Sequence, residues 1–282
     1  MVRIVTDSTA DLPAEIVTRY GITVVPLQVL FGAESFRDGV DIHPELFYRK
    51  LREAKELPTT SQPSPTEFAA VYRELARDGS PVVSLHLSLE LSGTYQSARI
   101  GAAGVDGADI TVIDTRSASI GLGLIVLEAA KAAQAGKSKE EIIFLLERLI
   151  AGSHLLLVVD TLEYLQKGGR IGKAQALLGS LLSIKPILIL RDGVVTPLEK
   201  VRGQAKALTR LAELAAAEVS PDDRVIVSVA HAAAPEAAEA LKTKIKPLFP
   251  NLAAIFTNEV GPVIGTHVGP GTLGIIVQEL PQ

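Results

Sequence analysis

Thr161-Leu-Glu-Tyr-Leu-Gln-Lys-Gly-Gly-Arg-Ile-Gly-Lys-Ala-Gln-Ala-Leu-Leu-Gly179 is the stretch on which the reading of the whole chain turns. Gly168 and Gly169 break one short amphipathic segment from the next, Arg170 and Lys173 sit at the break, and Gly172 opens a second helical run. The residues before this seam alternate strand and helix in the manner of a parallel sheet, and those after it do not. A joint between two rhythms in 282 residues predicts two domains, divided as 1–153 and 154–282 with the seam in the second, and a cleft between domains is a natural ligand site.

Outward from the seam toward the N-terminus, a β-branched run over 2–5 empties into the polar loop Thr6-Asp-Ser-Thr9. A helix is expected next, with Asp11 as its cap, Pro13 in its first turn and Gly21 at its end, followed by one strand over 22–30. Pro44 opens another helix, and the Pro-bounded segment 57–65 reads as loop. Capping boxes at Ser64/Glu67 and Ser138/Glu141 start two further helices. Strands over 82–87 and 110–113 each run into hydroxyl-rich turns, and helices over 118–135 and 139–151 complete the half. This alternation predicts an α/β domain with a mostly parallel, Rossmann-like sheet.

Beyond the seam, Asp192-Gly193 is a two-residue hairpin signal between strands over 186–190 and 194–200, so antiparallel pairing enters. Ala-rich helices over 202–219 and 234–246 alternate with strands over 224–230, 252–257 and 272–277. The second domain is therefore expected to be α/β with a mixed sheet.

Composition excludes several classes of function. With no cysteine there are no disulfides, thiolate nucleophiles or Cys metal sites. A net charge of −4, aromatic residues at 4% and no Trp leave little with which to hold nucleic acid. The early Asp7 leaves no signal-peptide core and the apolar stretches are too short to span a bilayer, so a cytoplasmic protein with at most transient membrane contact is expected. Gly168–Lys173 has one residue too few for a phosphate loop and Ala174 stands where a hydroxyl is needed; Gly121-Leu-Gly123 lacks the third glycine of a dinucleotide fingerprint. Asp7, Asp11 and Asp114 are a conceivable Mg²⁺ cluster, although Asp11 reads better as a cap, so no metal site is expected.

Chemistry is expected at the carboxyl ends of the parallel strands, where Thr6–Thr9, Thr59–Ser61, Ser88, Ser92, Thr94, Asp114 and Thr115 gather, each of them equally readable as a helix cap. Ser92-Gly93-Thr94 precedes a helix and suits an anion. His267 stands in 260–271, among four glycines and two prolines that read as a rigid loop; it can donate to a carboxylate or be incidental to a turn. His43, His86, His154 and His231 are scattered and read as structural or surface groups.

Taken together, Thr6-Asp-Ser-Thr-Ala-Asp-Leu-Pro13, Thr60-Ser-Gln-Pro63, Leu91-Ser-Gly-Thr-Tyr-Gln-Ser-Ala98, Leu162-Glu-Tyr-Leu-Gln-Lys-Gly-Gly-Arg-Ile-Gly172, Lys185-Pro186-Ile187 and His267-Val-Gly-Pro-Gly271 make the chain resemble the DegV family over essentially its full length, with no departure at these positions. The resemblance implies a bacterial fatty-acid-binding protein whose acyl chain lies in a tunnel between two α/β domains. It further implies a non-catalytic carrier, the binding subunit of a fatty acid kinase that converts the bound carboxylate to an acyl phosphate for phospholipid synthesis, with no cofactor beyond the fatty acid itself. Carried over by motif, the carboxylate is held by Thr60 or Ser61, by Ser92 with the backbone at Gly93, and by His267, with Arg170 near the head group or on the kinase-facing surface. Leu162, Leu165, Ile171, Leu177 and Leu178 are candidates for tail contact or core. Two alternatives stay open: a phosphotransferase similar to dihydroxyacetone kinase, for which His267 is the candidate acceptor, and a structural or regulatory domain with an empty cleft.

Overall fold

The computed structural model describes residues 1–178 and 184–280; Gly179, the last residue of the seam stretch, lies outside the described residues. Strands β1 (Arg3–Asp7), β2 (Thr23–Val25), β6 (Val82–His86) and β7 (Ile110–Asp114) form a wholly parallel sheet in the order β2-β1-β6-β7. The crossovers are α1 (Ala14–Tyr20) between β1 and β2, and α4 (Thr94–Ala103) between β6 and β7. Helix α3 (Pro65–Leu75) lies against α4 on one face, and α5 (Ile120–Gln134) with α6 (Lys139–Ala151) covers the other. The capping boxes at Ser64/Glu67 and Ser138/Glu141 both form, which is why α3 and α6 start where the sequence places them.

The second sheet is built entirely from 153–279. Strands β8 (Ser153–Val158), β9 (Ile184–Arg191), β10 (Val194–Arg202), β11 (Val225–His231), β12 (Leu252–Glu259) and β13 (Leu273–Glu279) pair in the order β10-β9-β8-β13-β11-β12. Only the β11–β12 pair is parallel, so the sheet is mixed. The β9–β10 turn is the Asp192-Gly193 pair, with φ of 51° and 78°, the left-handed values that a tight hairpin of this twist needs. One face of this sheet packs on α8 (Gln204–Ala217) and α9 (Pro235–Ile245), through Leu156, Val158, Val227, Val229, Ile275 and Val277. Side chains alternate along a strand, so Leu155, Leu157, Ala230, Gly274 and Ile276 face the other way, toward the parallel sheet.

Four expectations are corrected. The strand anticipated over 22–30 is two strands in two sheets: Pro26 ends β2, and β3 (Gln28–Phe31) joins β4 (Glu34–Arg37) and β5 (Thr59–Ser61) in a small antiparallel sheet ordered β4-β3-β5. Consequently 57–65 is not all loop, because Thr59–Ser61 pairs with Leu30–Gln28. Asp11 does not cap α1, whose N-cap is Pro13; it adopts a left-handed conformation (φ 49°) and its carboxylate accepts from Ser119 Oγ. The rigid loop expected around His267 is helix α10 (Pro262–Val268), which Pro262 opens at its first position and Gly269, at φ 74°, closes. The remaining helices are α2 (Pro44–Glu53), placed as the sequence indicates, and α7 (Glu163–Lys167) within the seam, where Gly168 ends the helix and a 3₁₀ turn over Gly172–Leu177 follows. No helix among the described residues is long and apolar enough to cross a membrane.

Candidate functional site

A mostly apolar cavity lies between the parallel sheet and the inner face of the mixed sheet. On the first side its walls come from just past the carboxyl ends of parallel strands: Leu27 after β2, Leu87, Leu91 and Ser92 after β6, and Ala118 and Ser119 after β7. The second side is the inner face of β8, β11 and β13 with Leu190 and Val195. Helix α10 runs along the cavity and presents Val263, Ile264, His267 and Val268 from one face, as residues at helical spacing must.

Polar groups cluster at the His267 end. Thr60, Ser92, Arg170 and His267 all line the cavity there. His267 Nε2 lies 2.8 Å from Thr60 Oγ1. Its Nδ1 is buried without a hydrogen-bond partner and faces the Gly168 backbone, so closely that a Cβ at Gly168 would collide with it. The Nε2 edge is thus the one that meets Thr60 and the cavity. Burial, then the nearby Arg170 guanidinium, pulls the imidazole down to about 4, which keeps it neutral at ordinary pH. Arg170 donates through Nε to Leu91 O (2.9 Å) and through Nη1 to Gly168 O (2.7 Å). It straps the Ser92 loop to the turn that supports His267. Ser92 Oγ lies 2.9 Å from Thr94 Oγ1 at the start of α4, where helix N–H groups and the dipole favour an anion. The set comprises hydroxyl donors, a neutral imidazole, one guanidinium and a helix N-terminus, a combination that suits a carboxylate head on an apolar tail.

The other residues singled out in the sequence lie elsewhere. Ser61 and Gly93 are exposed and are not among the lining residues; alternation along β5 turns Thr60 inward and Ser61 outward, and the Gln62 side chain lies against Gly93. Leu165 lines the cavity. Leu162, Ile171 and Leu177, with Leu178 partly buried at their edge, pack instead with Val159 and Leu188 as the layer behind the wall. Asp114 accepts from Leu89 N and Arg116 N, and no group of three carboxylates or imidazoles able to hold a metal occurs among the described residues.

Sequence reasoning missed two polar constellations. His86 is wholly buried: its Nδ1 is 2.9 Å from Asp7 Oδ2 and its Nε2 is 2.8 Å from Ser84 Oγ, which also accepts from Tyr72 OH. The Asp7 carboxylate can only accept, so Nδ1–H donates to it, and in the neutral ring Nε2 then accepts the Ser84 hydroxyl proton. Asp7 also accepts from Leu87 N, so this chain of bonds anchors the start of the Leu87–Ser92 loop. The second constellation, Asp11, Ser119 and Asp38, lies at the other end of α10 beside Gly261. Neither has a local motif; each joins residues far apart in sequence.

The family model described as uncharacterised protein, DegV family, matches residues 1–280. The chain belongs to the DegV family. A DegV domain-containing protein of Streptomyces coelicolor is 45% identical over 279 residues, 98% of each chain. Among solved structures, a fatty-acid-binding DegV family protein from Thermus thermophilus is 40% identical with a TM-score of 0.94, covering 99% of both chains. DegV from Bacillus subtilis, described as a fatty acid binding protein, is 37% identical with a TM-score of 0.91 and the same coverage.

Proposed function

We propose that this DegV protein binds a long-chain fatty acid in the cavity between its two sheets and presents the carboxylate to a fatty acid kinase, itself acting as carrier and not as catalyst. The observation that carries the reading is the division of the cavity into a mostly apolar body and a cluster of Thr60, Ser92, Arg170 and His267 around the imidazole. That division matches the ligand named for the Thermus and Bacillus relatives.

Burying a tail at roughly 0.8 kcal/mol per CH₂ gives about 10 kcal/mol for a long-chain acid, before the costs of association. The tail therefore supplies affinity, and the polar cluster sets register. Thr60 and His267 hold the head, Ser92 at the α4 N-terminus takes the anionic oxygens, and Arg170 keeps the two sides of the cluster together while contributing the local positive charge. Conversion of a carboxylate so held to an acyl phosphate by the partner enzyme would feed phospholipid synthesis.

Mass spectrometry of an organic extract of the purified protein tests the binding; a stoichiometric long-chain fatty acid is expected. The loaded protein, mixed with a fatty acid kinase and ATP, is expected to yield acyl phosphate, trapped as the hydroxamate. Ser92→Ala is expected to reduce that yield by about tenfold or more while lowering retained lipid less, because Ser92 serves the head and not the tail. A lipid-free protein that itself labels with phosphate would overturn the carrier reading.

A further inference from the structure

The end of α10 opposite His267 is not apolar throughout. Ser119 lines the cavity, as do Ala118, Val260 and Ile276, and its bond to Asp11, which lies against Gly261, puts it near this end of the helix. Its backbone stands at φ 52°, ψ −148°, a conformation strained for any residue with a Cβ, and such strain persists only where the surroundings over-determine it. The hydroxyl donates to Asp11 Oδ2 at 2.5 Å, and Asp11, partly buried, is held in turn by the Gly261 backbone. With its proton committed to Asp11, the Ser119 oxygen keeps acceptor capacity. A hydroxyl on the wall of a cavity otherwise shaped for hydrocarbon has an obvious complement, a donor on the ligand.

Its depth is set by α10. Gly261 caps the helix and His267 lies in its last turn, so the two ends are about 9 Å apart at 1.5 Å per residue. An extended chain advances about 1.2 Å per bond, by analogy with the extended backbone, so a carboxylate at His267 brings about the eighth to tenth carbon level with Ser119. We propose that Ser119, positioned by Asp11, is a second polar contact of this cavity and selects acyl chains that carry a hydroxyl group near mid-chain. The inference rests on the fatty-acid reading above and adds the substrate class.

Dissociation constants of the delipidated full-length protein for stearic acid, 2-hydroxystearic acid and 10-hydroxystearic acid test it without any substitution. The 10-hydroxy acid is expected to bind at least as tightly as stearic acid and the 2-hydroxy isomer more weakly. Ser119→Gly removes the hydroxyl and suits the positive φ, so it is expected to fold. It should shift the ratio of the 10-hydroxy to the stearic acid constants about tenfold toward stearic acid, about 1.4 kcal/mol. Equal ratios in the two proteins, or rejection of the 10-hydroxy acid by the unsubstituted protein, would sink the inference and leave the fatty-acid reading standing. If none of the three acids binds, both fall together.

Discussion

Asp38 shows how far a single residue departs from what its type suggests. It is buried, one carboxylate oxygen has no hydrogen-bond partner, and burial pushes its pKa up to about 7, offset in part by a bond from Ser8. In the unfolded chain an Asp titrates near 3.9. Between those two values the folded protein holds a proton that the unfolded chain has released, so stability falls as pH rises through the window and the loss is complete above about 7. The total is at most about 4 kcal/mol, from roughly three units at 1.36 kcal/mol each. Asp38→Asn removes this dependence. The melting temperature of the variant relative to the unsubstituted protein is expected to climb from pH 4 to pH 7 and then level off. His267, pulled down to about 4, has the opposite slope over much of the same range, but it is present in both proteins and cancels in the difference. A constant difference across the range would show that Asp38 ionises freely in the fold.

At the scale of elements, the site depends on how α7 and α10 are fitted together. Gly168 ends α7 at φ −74°, which alanine adopts without strain, yet a Cβ there would strike His267 Nδ1 and crowd Tyr164 O. Gly168→Ala is therefore expected to displace the imidazole from Thr60 and weaken fatty-acid binding about tenfold, at a stability cost of about 1–3 kcal/mol. Titration calorimetry with palmitic acid, beside a melting curve, checks both; an unchanged affinity would remove His267 from the head cluster. The sequence declares this junction only in part. Gly168 and Gly169 mark the end of α7 because glycine punctuates helices, and both capping boxes locate α3 and α6 because a cap is a local hydrogen bond. Helix α10 is hidden, since glycines and prolines dominate 260–271 and local propensity there argues for loop. Packing against Phe47 and Tyr48 at Gly265, and against Tyr164 at Gly269, is what makes those glycines fit a helix and its end, and such contacts leave no local trace. The same holds for the cavity. Thr60, Ser92, Arg170 and His267 are approachable through motifs, whereas Leu27, Ser119, Ala230 and Ile276 become neighbours only once three sheets are assembled.

For the whole molecule, the cavity is an absence of core at the place where the carboxyl edge of the parallel sheet meets the inner face of the mixed sheet. Apolar clusters fill both outer faces, and the inner face of the mixed sheet is shared between protein contacts and the cavity wall. On the fatty-acid reading proposed above, a bound acyl chain would complete that core, so ligand and fold would stabilise each other. A ligand that binds only the folded state at 100 times its dissociation constant adds about 2.7 kcal/mol. For chains near this size each kcal/mol moves the melting temperature by roughly 2–4 °C. Removal of lipid by organic extraction is accordingly expected to lower the melting temperature by about 5 °C or more, and re-addition of palmitic acid to restore it. Butyric acid is expected to leave it unchanged at the same concentration, because the head cluster without a tail forgoes most of the burial that drives binding. Equal rescue by both acids would mean that the head carries the affinity, and identical melting of extracted and loaded protein would mean that the two walls hold together without the chain between them.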